Sequence, residues 1–189
     1  MRRLATTVLV AAVTVALLGA GYPTKTKKVE VHAWARAVCT SVGAWVDGAQ
    51  QGSEELSQVL AASEPDLAAI QQTLASYIAA TKASTDGVIA DVRHAGYPDT
   101  PKGRPAWRAL REGFAQVRGV FAEGESLIAG LPVEDATAFQ AQLEAVKTQL
   151  DTGIGEFSKA FDRLDRLDPD QKLARAFETT ATCRALEPR

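Results

Sequence analysis

Few side chains in this sequence are of a kind that does chemistry. There are two cysteines, Cys39 and Cys183, and two histidines, His32 and His94. Asp91 and His94 stand three apart on one helical face, like one arm of a carboxylate-bridged di-metal site in a helix bundle. A full site needs a second such pair and two glutamates, and no other histidine is placed to supply it. The pair reads as a solvated helix end before Gly96. The run Phe161 to Asp170 gathers four carboxylates, but a calcium loop would need them two apart, with a central glycine and a closing glutamate. Asp162 and Arg166 read instead as an i,i+4 ion pair, and Asp168 as a helix cap. No nucleophile–base pairing, phosphate-binding glycine loop or nucleic-acid motif stands out. The sequence therefore reads as non-enzymatic, with no metal or cofactor.

What the cysteines do depends on the compartment. Arg2 and Arg3 are followed by an apolar run from Leu4 to Leu18 and by the small residues Gly19, Ala20 and Gly21. A charged end, an apolar middle and a small-residue exit make a secretory signal. Residues 1–21 are expected to be the signal, cleaved after Ala20 or Gly21. The alternative is an uncleaved anchor, because the apolar run approaches the minimal length of a membrane span. Export places the chain in an oxidising compartment, where a lone pair of thiols is expected to form a disulfide. We therefore expect a Cys39–Cys183 bond and a secreted or extracytoplasmic, envelope-associated protein.

The remaining chain is long enough to bury a single core. The net charge of the whole sequence is −2, and two of its basic residues fall in the signal. Such an acidic balance offers no general attraction to nucleic acid or anionic lipid. Lys25, Lys27 and Lys28 are a local exception, and residues 22–28 read as a flexible basic N-terminus. Met1 is the sole methionine, which removes Met-rich copper handling.

From Val29 onward the apolar residues recur at helical spacing. A first stripe carries Trp34, Val38, Val42, Trp45, Leu56 and Val59. A second follows a cap at Ser63, with Asp66 closing the box, and runs through Ile70, Leu74, Ile78, Val88 and Val92. A third holds Trp107, Leu110, Phe114, Val117, Phe121 and Ile128. A fourth holds Phe139, Leu143, Val146, Leu150, Ile154, Phe157, Phe161 and Leu164. No stretch alternates with period two. Residues 30–62, 64–95, 104–130 and 133–167 are then helices of about 40 to 52 Å each. Short connectors between them predict an all-α domain over 29–189, an up-down-up-down four-helix bundle. A short fifth helix, capped by Asp168 with Pro169 in its first turn and Gln171 closing the box, would pack on the first. That packing brings Cys183 level with Cys39. Gly43, Gly48 and Gly52 leave two readings for the first helix, close packing or a kink near Gly48 to Ser53.

The longest non-helical piece inside the domain is Gly96 to Pro105, stiffened by three prolines. In an up-down bundle it lies at the end where the first helix begins. Trp34, Tyr97, Lys102 and Arg104 are thus the expected interaction surface, with the three tryptophans otherwise core.

Some landmarks also carry a resemblance. Cys39 and Trp45 early in the first helix, Ala95-Gly96-Tyr97-Pro98 before the third, Val117-Arg118-Gly119-Val120-Phe121 within it, then Leu131-Pro132 and Cys183-Arg184, resemble small exported helical proteins of actinobacteria. The resemblance covers about Val38 to Leu186. Those proteins are uncharacterised, so it implies an exported helical fold and no site residue. Some of them look like lipoproteins, whereas here Tyr22 stands where a lipidated cysteine would be sought.

The functional expectation is a non-catalytic helical bundle that binds or scaffolds another envelope or extracellular protein. The alternative is a carrier of an apolar small molecule in the bundle core. Neither nucleic acid nor, beyond an uncleaved N-terminus, the membrane is an expected partner.

Overall fold

A computed structural model describes residues 27–61 and 66–186. The expected signal over 1–21, the start of the basic N-terminus and the Ser63 cap lie outside the described residues, as do the side chains of Ile154, Phe157 and Phe161. The domain is all-α, with four long helices: α1 (Val31–Leu60), α2 (Leu67–Ala95), α3 (Gly103–Ala129) and α4 (Ala136–Arg166). Two short ones follow, α5 (Lys172–Thr179) and α6 (Ala181–Arg184). Among the described residues no helix is long and apolar enough to cross a membrane.

Three of the four long helices start where a carboxylate accepts the free N–H groups of the first turn, whereas α3, entered from Lys102, has no side-chain cap. Glu30 does this for α1, Asp66 for α2 and Asp135 for α4. Asp66 is thus itself the cap rather than the closing member of a box. The first helix runs unbroken through Gly48 to Ser53. Close packing explains one of its glycines, since a Cβ on Gly52 would overlap the Tyr77 ring of α2.

Neighbouring helices run antiparallel. Trp34 meets Gly96, Trp45 meets Thr85, and Gly52 meets Tyr77, pairing the start of α1 with the end of α2. Gln71 near the start of α2 reaches the last carbonyls of α3 at Ile128 and Ala129, and Leu131 O just beyond it. Gly124 and Gly153 meet Leu150 and Val120 across the α3–α4 seam. Consecutive helices pack along their lengths, and α1 packs additionally on α5 and α6. The backbone packing of α4 is chiefly on α3, and among the described residues a pocket lies between its far end and α1.

All three indoles act as internal braces on α2. Trp34 Nε1 donates to Gly96 O at 3.0 Å, Trp45 Nε1 to Thr85 Oγ1 at 2.9 Å, and Trp107 Nε1 to Val92 O at 2.8 Å. A buried indole needs such a partner, because an unpaired N–H in an apolar core is costly. Trp34 and Trp107 share one core cluster with Val38, Val88, Leu110 and Phe114. The second cluster, around Ile70, Ile78, Val117, Phe121 and Phe139, fills the other end.

Two expectations are corrected here. The N-terminus is not free up to Lys28: Lys28–Val29 (β1) pairs in parallel with Tyr97–Pro98 (β2), and Lys28 ion-pairs with Asp99 at 2.6 Å. A two-residue ladder leaves no alternating pattern to read, because its register is set by the helices behind it. The fifth helix is also not continuous. It breaks at Thr180, whose backbone is extended, before α6 carries Cys183.

Candidate functional site

The Tyr97 to Arg104 end proves to be tightly tied down. Gly96 closes α2 with φ of 83°, and a Cβ there would run into the Lys27 carbonyl oxygen. Backbone bonds from Tyr97 N to Lys27 O (3.0 Å) and Asp99 N to Val29 O (2.7 Å) fasten the loop to the entering chain. Arg104 sits over the Tyr97 ring at 5.0 Å, a cation–π contact that uses the exposed face of the ring. Of the four residues expected to form a surface, Lys102 and Arg104 are exposed and Tyr97 is half-buried against the core. Trp34 is 0% exposed and presents nothing to a partner; as the first large residue of the α1 stripe it fills the core beneath the loop. Trp34, Tyr97 and Arg104 are brought together as a brace, while Lys102 contributes an exposed side chain beside them in the chain.

A different feature lies on the side where α4 stands off from α1. Cys39 of α1 and Cys183 of α6 are joined, with Cα atoms 5.0 Å apart. The bond draws α5 and α6 onto the first turns of α1, with Ala35 and Ala176 filling the space beneath it. Phe177 of α5 meets the Trp34 ring edge-on at 5.8 Å. Between this C-terminal strap, α1 and the end of α4 lies a pocket of about 540 Å³. Its walls are Val38 and Val42 from α1, Leu110 from α3, Leu164 from α4, and Leu173 and Phe177 from α5. Leu186, one of two large apolar residues left exposed among those described, stands at its mouth beside Gly43.

The strap is positioned by Asp168. Its buried carboxylate accepts from Leu173 N at 2.7 Å and Ala174 N at 2.9 Å, so it does cap α5 as the sequence suggested. The box does not close as expected: Gln171 takes a left-handed conformation, and Pro169 lies in the turn ahead of the helix. The side chains of the other acidic residues lining the pocket, Asp165 and Glu178, make no hydrogen bond or ion pair among the described residues. The expected Asp162–Arg166 ion pair is likewise absent there. Both side chains are exposed, where such a pair gains little over hydration.

Asp91 accepts a hydrogen bond from Ser41 at 2.8 Å, binding α2 to α1, and His94 is exposed. No group of three or more metal-ligating side chains occurs among the described residues. The pocket escaped the sequence reading because its walls come from five separate helices. Val38, Leu110, Leu164 and Leu173 carry the same signature as any core residue. The one available signal was Leu186, an apolar residue just past Cys183 with no stripe to join. No protein-family model, curated protein or solved structure matches the chain.

Proposed function

We propose that this is an exported, non-catalytic binding protein whose cargo is an apolar small molecule, seated in the pocket between α1, α4 and the α5–α6 strap. The observation that carries the reading is the pocket itself. Its volume of about 540 Å³ falls in the range of ligand sites, and its walls are mainly aliphatic and aromatic, with the Cys39–Cys183 bond and three carboxylates among the lining residues. The expected protein-binding role at Tyr97 to Arg104 is less well supported, because Trp34 is buried and Tyr97 is half-buried against the core with Arg104 over its ring. Export is supported by the Cys39–Cys183 bond and by the signal-like N-terminus, in keeping with the resemblance to exported actinobacterial proteins. The four long helices are taken as one up-down-up-down four-helix bundle, supported by the antiparallel contacts of each consecutive pair.

Fluorescence of a neutral apolar dye such as N-phenyl-1-naphthylamine tests the reading on the oxidised protein. Saturable uptake of one dye per chain, displaced by long-chain alcohols, is the expected result. Ala174→Trp, which places a large ring in the pocket wall, should abolish it without lowering the melting temperature. A native protein that takes up no dye would refute the proposal.

A further inference from the structure

The charge around the pocket narrows the cargo further. The ionisable residues that line it are Asp165, Asp168 and Glu178, and no lysine, arginine or histidine lines it among the described residues. Asp168 is committed to the backbone of α5. Asp165 and Glu178 are exposed, and no hydrogen bond or ion pair engages either side chain among the described residues. Some basic side chains elsewhere are paired: Lys28 with Asp99, Lys82 with Glu125, Arg118 with Asp86, and Arg175 with the Asp170 carbonyl. The two carboxylates therefore stand at an apolar pocket with no ion-pair partner among the described residues.

We infer that the pocket accepts a single-chain amphiphile with a cationic head, the chain lying among Val42, Leu164 and Phe177 and the head at Asp165 and Glu178. This deepens the apolar-cargo reading and rests on it. An anionic head of the same chain would face two like charges, which opposes binding even where the apolar contacts are equal. Each carboxylate is solvent-exposed, so each contributes a modest factor, and the preference must weaken as salt screens it.

The test compares dodecyltrimethylammonium with dodecanoate, both below micelle-forming concentration, titrated calorimetrically into the oxidised protein at low salt. The cation should bind about five- to tenfold more tightly. Raising the salt should shrink that ratio. Asp165→Asn with Glu178→Gln should bring the two probes to within about twofold while leaving the melting temperature unchanged, since neither side chain holds the fold. Ala174→Trp should block both probes, with Val42→Trp as the substitute should that variant melt early. Equal binding of the two probes by the native protein, blocked by the tryptophan variant, would overturn the cationic head and leave the apolar pocket standing. Binding of neither probe, or binding that both tryptophan variants leave untouched, would overturn the pocket reading as well.

Discussion

Glu30 and Gly96 sit beside each other in the fold and make opposite demands on the chain. Glu30 ends the strand-like entry and caps α1, its carboxylate accepting from His32 N at 2.9 Å and Ala33 N at 2.7 Å. The hydrogen bond from His32 N, then that from Ala33 N, holds its pKa below the ordinary 4.5, with minor help from the charges of His32 and Arg36. A carboxylate whose pKa is lower folded than unfolded adds stability above the unfolded value, and that stability is lost as pH falls through the folded one. Glu30→Gln should therefore reduce the acid sensitivity of the urea midpoint below pH 4.5. Parallel midpoint curves for the two proteins across that window would contradict the assignment. Gly96 instead supplies a left-handed turn that no other residue adopts without strain. Gly96→Ala should cost at least about 1 kcal/mol in denaturant unfolding, through strain and the clash with Lys27 O. The stop at Gly96 was legible in the sequence, because glycine after a helical stripe is a common C-cap signal. Its close approach to Lys27 was not, since that partner arrives from a strand with no pattern of its own.

Stripes of apolar residues three and four apart gave the four long helices to within a few residues, because each helix buries one face and exposes the rest. The ends were harder to place. Asp135 caps α4 three residues later than expected, since Pro132 and Val133 are taken up in the turn before it. Gln71 was not singled out at all, although its amide serves the carbonyl end of α3. A glutamine on a helix gives no hint of a partner on another one. Element α5 shows what a single cap can hold. At eight residues it is too short to persist alone, and its entry through a left-handed Gln171 adds strain. Asp168 offsets this by binding two of its first N–H groups from a position that is only 8% exposed. Asp168→Ala should destabilise the protein by about 1 to 2 kcal/mol. Asp168→Asn, which keeps an acceptor oxygen, should recover a large part of it. Because Leu173 and Ala174 line the pocket, the alanine variant should also lose dye uptake; unchanged uptake would show that α5 does not depend on this cap.

For the molecule as a whole, the Cys39–Cys183 bond decides whether the C-terminal strap belongs to the domain. It closes a loop of 144 residues, nearly the entire described chain. On the chain-entropy account, a loop of that length stabilises by about 5 kcal/mol, an upper value for a bond whose reduced chain keeps some structure. The pairing could be expected from cysteine count and export alone. How the strap sits could not, because it depends on α4 leaving α1 partly uncovered. The contacts that remain when the bond is cut are unequal. Between α2 and α3 lie the Val92–Trp107 and Gln71–Ile128 hydrogen bonds and most of the second core cluster. The strap retains Phe177 against Trp34, and Ala176 under the sulfurs. Reduction should therefore act locally before it acts globally. Hydrogen exchange on the reduced protein should show α5 and α6 losing protection first, with the start of α1 following and the centres of α2 and α3 little changed. Dye uptake should fall in step with the strap, and a Cys39→Ser, Cys183→Ser variant should behave like the reduced protein. If α2 and α3 lost protection together with the strap, the bond would be holding the whole domain closed. The pocket would then share the stability of the core and would not be a separately opening part of the molecule.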